Sequence, residues 1–126
     1  MEIQHVLEYI HLLSSRYHSV SSIWLIGSRA SCTEQPESDW DLLVFADTDS
    51  LVRMRADAGL HALGIDLLVV TDGDRFEQPW IEDGYTVAKF GYLTTWLWKQ
   101  TSQTEAEYLS SRRQELVPAV RLWPRG

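Results

Sequence analysis

Apolar residues at the start of the chain recur at steps of three and four. Ile3, Val6, Leu7, Ile10, Leu13 and Tyr17 form one stripe, which predicts an amphipathic helix over 2–17. The pattern then changes. Ser21 to Ile26, SSIWLI, is a short β-rich run ended by Gly27, and the polar stretch SRASCTEQPES after it is broken by Pro36. Leu42 to Phe45 reads as a second, buried strand. Asp47 to Ser50 reads as a turn leading to an N-cap. Leu51, Met54, Ala58 and Ala62 then mark one side of a helix over 51–63, terminated by Gly64. IDLLVV, Ile65 to Val70, is a third strand that leaves through the turn TDGD.

Beyond that turn two partitions compete. In the preferred one Pro79 opens a helix that Gly91 closes, and Tyr92 to Lys99 is a strand. In the other, Thr86 to Lys99 is one long strand. Ser102-Gln-Thr-Glu105 and Thr104-Glu-Ala-Glu107 both fit a capping box. They predict a last helix reaching about Leu116, with Pro118 and Pro124 in a loose tail. The resulting order is helix, strand, strand, helix, strand, helix, strand, helix. It predicts an α/β (α+β) arrangement, a small sheet covered by helices.

Composition narrows the function classes. A chain of 126 residues predicts one domain over 1–126, and 44% apolar with 23% charged residues is an ordinary globular balance. No run approaches the length of a membrane span, and MEIQHVLEYIHLL lacks the basic start and unbroken apolar centre of a signal peptide. The single cysteine, Cys32, excludes an internal disulfide and a multi-cysteine metal site, so a cytoplasmic location is expected. A net charge of −7 disfavours long nucleic acid, which is bound through Lys and Arg. A basic protein or a small metal–nucleotide ligand is the more natural partner.

Three Asp-x-Asp pairs occur: Asp39/Asp41, Asp47/Asp49 and Asp72/Asp74. The last two lie in turns, where Asp bonds its own backbone. The first abuts LLVF, and residues two apart on a strand point to the same side, so Asp39 and Asp41 can lean toward one point. Their repulsion calls for a cation, and hard carboxylate oxygens suit Mg²⁺. Asp66, inside the apolar run GIDLLVV, joins them if the second and third strands are neighbours; otherwise it pairs with Arg29 or caps a backbone group. Gly27 lets the backbone turn sharply and approach a ligand. A helix starting at Ser28 would offer N–H groups and a hydroxyl to phosphate, with Arg29 one residue further.

Gly27-Ser28, then Asp39-Trp-Asp41-Leu-Leu-Val-Phe, then Ile65-Asp66-Leu resemble, in order, the motif of the nucleotidyltransferase superfamily that includes DNA polymerase beta. GSRA…SDWDLLV is particularly similar to the minimal nucleotidyltransferases, the MNT type. The resemblance covers about residues 20–70. It implies a mixed sheet in the nucleotidyltransferase fold and use of Mg²⁺ and ATP. Carried over, Asp39, Asp41 and Asp66 would bind metal and perform catalysis, Asp66 helping to activate the acceptor hydroxyl. Gly27 and Ser28 would hold the triphosphate, with Arg29 beside them. The resemblance also implies an antitoxin role, with AMP transferred to a HEPN-type toxin as partner. The family often reads GSRARG where this chain has GSRASC, so Ser31 and Cys32 stand in place of an Arg and a Gly.

Other residues rank lower. His5, His11, His18 and His61 read as exposed polar positions, and Cys32 has no His near it in sequence to make it a nucleophile. Tyr92, Thr94, Trp96 and Trp98 would share a strand face covered by a helix, or dock a partner. Arg112, Arg113, Arg121 and Arg125 give the tail a basic face. Two further functions stay open: a non-catalytic antitoxin-like module that neutralises its partner by contact, and a transferase for a small-molecule hydroxyl.

Overall fold

The helix stripe and the three apolar runs all form. The computed structural model describes residues 3–62, 64–110 and 113–124. In it α1 (Ile3–Arg16) buries Val6, Tyr9, Ile10 and Leu13. It is followed by β1 (Ser22–Ile26), the four-residue α2 (Gly27–Ala30), β2 (Trp40–Phe45) and α3 (Thr48–Arg55). A 3-10 turn over Ala58–Leu60 leads to β3 (Ile65–Val70). The expected starts and ends at residues 2 and 63 lie outside the described residues. Asp47 caps α3, accepting from Ser50 N at 2.8 Å, as its turn context requires. Asp72 likewise accepts from Asp74 N at 2.9 Å and Arg75 N at 2.7 Å.

The second half is strand where helix was expected. After β4 (Arg75–Glu77) come β5 (Phe90–Tyr92), β6 (Lys99–Gln100), β7 (Glu105–Ser110) and β8 (Glu115–Trp123). Pro79 opens no helix, and Tyr92 to Lys99 is mostly turn. Ser102 Oγ does accept from Glu105 N, at 3.1 Å, but the bond closes a turn that feeds a strand. Pro118 sits inside β8, opposite Glu107.

All eight strands join one sheet in the order β5-β4-β3-β2-β1-β8-β7-β6. Among the described residues only β2 and β3 run parallel; the crossover through α3 makes that possible. The expected α/β (α+β) domain in the nucleotidyltransferase fold is therefore corrected. The molecule is a sheet-dominated half-barrel with short helices, not a small sheet covered by helices on both sides.

The alternation of side chains explains why. One sheet face presents Ile23, Leu25, Leu42, Val44, Leu67 and Val69 to α1, α3 and the 3-10 turn. The other face presents Trp24, Leu43, Leu68, Phe76, Tyr108 and Val117, and no helix among the described residues covers it. It is closed by aromatic rings instead. Trp96 lies 4.5 Å from Phe76 on β4 and 5.4 Å from Tyr108 on β7, between ring centroids. Five strand spacings separate β4 from β7, roughly 24 Å in a flat sheet. One indole bridges them only because the sheet curls. Thr94 holds that turn, its N and Oγ1 donating to Asp74 Oδ1 at 2.8 and 2.7 Å. Among the described residues no helix is long and apolar enough to cross a membrane.

Gly91, on β5, lies under the Phe76 ring: a Cβ there would meet Phe76 Cζ at 2.5 Å. Phe76 is buried and held by Trp96, so it cannot yield easily. Gly91→Ala is expected to cost about 1–3 kcal/mol of stability, read as a lower urea midpoint; an unchanged midpoint would show that the ring moves freely.

Candidate functional site

The three apolar strands set the site's geometry. Register pairs Asp41 of β2 with Asp66 of β3, side by side on neighbouring parallel strands. Both share the parity of Leu43 and Leu68, so both point to the curled face, at the start of their strands. Each is half-buried. Asp66 Oδ1 accepts from Gln78 Nε2 at 2.7 Å, and the same amide donates to Glu82 Oε1 at 2.9 Å. Arg29 is not the partner of Asp66.

Gly27 is required by Asp41. Its φ is +74°, a left-handed value, and the Asp41 carboxylate occupies the place a Cβ would take, with Cγ only 3.0 Å from it. The Gly27 N–H donates to Tyr108 Oη at 2.7 Å. The bend between β1 and α2 is thus fixed by β7, a strand far later in the chain.

These groups line a cavity of about 360 Å³, to which Ser28, Lys89 and Arg113 also contribute. Burial pushes the Asp41 carboxyl up to about 7, and the charges of Asp66 and Asp39 add to it, while Lys89 opposes them. The Tyr108 hydroxyl is also raised, mainly by burial; the Gly27 hydrogen bond opposes that rise and the Asp41 charge adds to it.

Two predicted site residues are placed differently. Asp39 precedes β2, is exposed and is not on the cavity wall, although its charge reaches Asp41. Arg29 turns to the 31–39 loop: Nη2 donates to Ser38 O at 3.0 Å and Pro36 O at 3.4 Å, and the guanidinium stacks 4.5 Å over Trp40. It stabilises the turn. Cys32 is exposed, as are His5, His11, His18 and His61. Of the arginines in the tail, Arg112 and Arg125 lie outside the described residues, and Arg113 pairs with Glu115 at 2.8 Å.

Sequence reasoning missed Gln78, Lys89 and Tyr108, and read Arg113 only as part of a basic tail face. Tyr108 was legible: Ala106 and Tyr108 alternate with Glu105 and Glu107, a strand signature that places both on one face. Gln78 and Lys89 sit in irregular segments, where no periodicity marks them.

Magnesium fits this donor set in part. Asp41 and Asp66 supply hard oxygens and a pair of acidic groups that Lys89 offsets only in part, and Mg²⁺ is commonly held by one or two carboxylates with waters and phosphate oxygens. Among the described residues, however, no group of three His, Cys, Asp or Glu is placed to hold one metal ion.

The fold and site define a sheet-dominated protein with a paired-carboxylate cavity at the mouth of the parallel pair β2 and β3. No family model, curated protein or solved structure matches the chain.

Two outcomes follow from the packing of Gly27 against Asp41. Gly27→Ala is expected to cost about 2–4 kcal/mol, part from overlap and part from the left-handed backbone. In an Asp41→Ala background the overlap is gone, and the cost falls to about 1–2 kcal/mol; equal costs in both backgrounds would contradict the contact. The Asp41 carboxyl also gives a pH dependence in metal-free buffer. Its native value lies above the ordinary 3.8, so the native state keeps a proton that the unfolded state has released. That stability is fully present below 3.8 and is lost as pH rises through about 7. Urea midpoints should show wild type losing stability relative to Asp41→Asn across that window, at up to about 1.4 kcal/mol per pH unit. A difference independent of pH would rule the burial effect out.

Proposed function

We propose that the cavity binds a magnesium–nucleoside triphosphate and that the protein is a nucleotidyltransferase, passing AMP from ATP to a hydroxyl of a partner protein of the HEPN-toxin type. The observation that carries this reading is the in-register pair Asp41 and Asp66 beside the Gly27 bend. It rests on the site rather than on the fold, since unrelated folds can carry one chemistry. The acceptor comes from the motif resemblance, and a cytoplasmic location accords with a single, exposed cysteine.

In such a reaction the acceptor oxygen bonds to the α-phosphorus, the bond to the bridging oxygen breaks, and pyrophosphate leaves. Bound magnesium would offset negative charge on the phosphate oxygens. The chain's own residues do the rest. Asp41 and Asp66 would hold the cation. Gln78 orients Asp66 to accept the proton of the acceptor hydroxyl. Lys89 and Arg113 bring positive charge to the same cavity, where the phosphates need it. Ser28 adds a hydroxyl at the glycine bend.

A specific observation favours the second reading, a non-catalytic antitoxin-like module. Asp39 stands off the cavity wall, and Ile81, Tyr85, Val87, Phe90 and Leu97 expose apolar surface of the kind that meets partners.

Melting curves discriminate the two. Mg²⁺ with ATP should raise the melting temperature, by the equivalent of ~2.7 kcal/mol at about 100 times Kd. EDTA, Asp41→Asn or Asp66→Asn should abolish the rise. Transfer of label from ATP to a co-purifying protein should fall by roughly 10³-fold in Asp41→Ala, if the cation supplies ~4 kcal/mol. No ATP-dependent shift in wild type would leave the binding module as the better reading.

A further inference from the structure

A second cavity of about 420 Å³ opens beside the first, and Lys89 lines both. Its chemistry differs. Tyr85 and Phe90 stand on its wall with 68% and 52% of their surface in water, unusual exposure for two aromatic rings at one cavity. Arg75 packs its guanidinium 4.6 Å from the centroid of the Phe90 ring, which helps to hold that ring in place. Glu82 lies on the same wall.

Gln78 ties the two cavities together. Its amide nitrogen lies between Asp66 of the first and Glu82 of the second, at 2.7 and 2.9 Å. Both partners are acceptors, so the NH₂ must face them and the orientation of the amide is settled. Gln78 is 4% exposed, and its Oε1 has no hydrogen-bond donor among the described residues. A buried carbonyl without a donor is costly. The second cavity therefore joins flat apolar surface to the Glu82 carboxylate and has a lysine at its border with the carboxylate cavity.

We infer that the second cavity takes the base of the nucleotide whose phosphates the first would hold, an inference that rests on the reading of the first cavity given above. Aromatic side chains stack on the flat face of any base. Glu82, an acceptor, suits a base that presents an amino group at its edge, as adenine does where hypoxanthine has a carbonyl. Lys89, on the shared wall, stands where base and phosphates are linked, and its ammonium suits the anionic side of that link.

Calorimetric titration of the whole chain tests this, with Mg²⁺ complexes of ATP, ITP and tripolyphosphate as probes. ATP should bind about tenfold more tightly than ITP, the value of one charge-assisted hydrogen bond. Tyr85→Ala, in an irregular segment where folding is not at stake, should weaken ATP about tenfold, the loss of one stacking contact. It should leave tripolyphosphate unchanged. Should ATP and tripolyphosphate bind equally, and Tyr85→Ala alter neither, the base subsite is overturned while the phosphate-binding reading stands. Should none of the three bind wild type, the reading of the first cavity fails and this inference with it.

Discussion

The constraint on which the rest depends is the parallel register of β2 and β3. It sets two carboxylates side by side where apolar strands open to solvent. Alone, such a pair is unfavourable, because each charge resists burial and repels the other. The strands cannot relieve it by slipping. A shift of one residue would turn Leu42, Leu43, Leu67 and Leu68 to the wrong faces, and both faces are packed. The surrounding residues answer to this pair. Gly27 lacks a side chain because Asp41 occupies its place, Gln78 holds Asp66, and Lys89 offsets the charge.

The curl of the sheet turns that pair into a cavity. Trp96 brings β4 and β7 together across the concave face, and Tyr108 is carried to the Gly27 N–H. An aromatic core thus fixes the polar site. The tie between Asp74 and Thr94 belongs to the same construction, since it pins the turn that delivers Trp96. Cavity wall and hydrophobic core are one assembly here, so variants in the aromatic cluster should disturb both.

Much of the first half was legible in the sequence. The helix stripe from Ile3, the apolar runs at Ile23, Leu42 and Ile65, and the meeting of Gly27, Asp41 and Asp66 all follow from local patterns. Asp39 was misplaced by a single residue's difference: strand parity aims it at Asp41, but β2 begins at Trp40, so it lies outside the pleat. The second half failed for a different reason. Ser102 and Glu105 look like a helix cap and do form its hydrogen bond, yet the period-two alternation at Ala106 and Tyr108 prevails because both have a sheet face to fill. Pro79 and Gly91 resemble helix boundaries, but Gly91 is a glycine for the Phe76 ring, a long-range contact that no local pattern reveals. The curl was beyond reach, since it depends on which distant rings meet.

The most direct test of the account is the ¹³C shift of the Asp41 carboxyl followed against pH by NMR. In metal-free solution its midpoint should lie near 7, and saturating Mg²⁺ should lower it by at least about one unit, because the cation holds the ionised form. A midpoint in the ordinary carboxylate range, unmoved by Mg²⁺, would contradict the claim that Asp41 and Asp66 form a strained, cation-seeking pair.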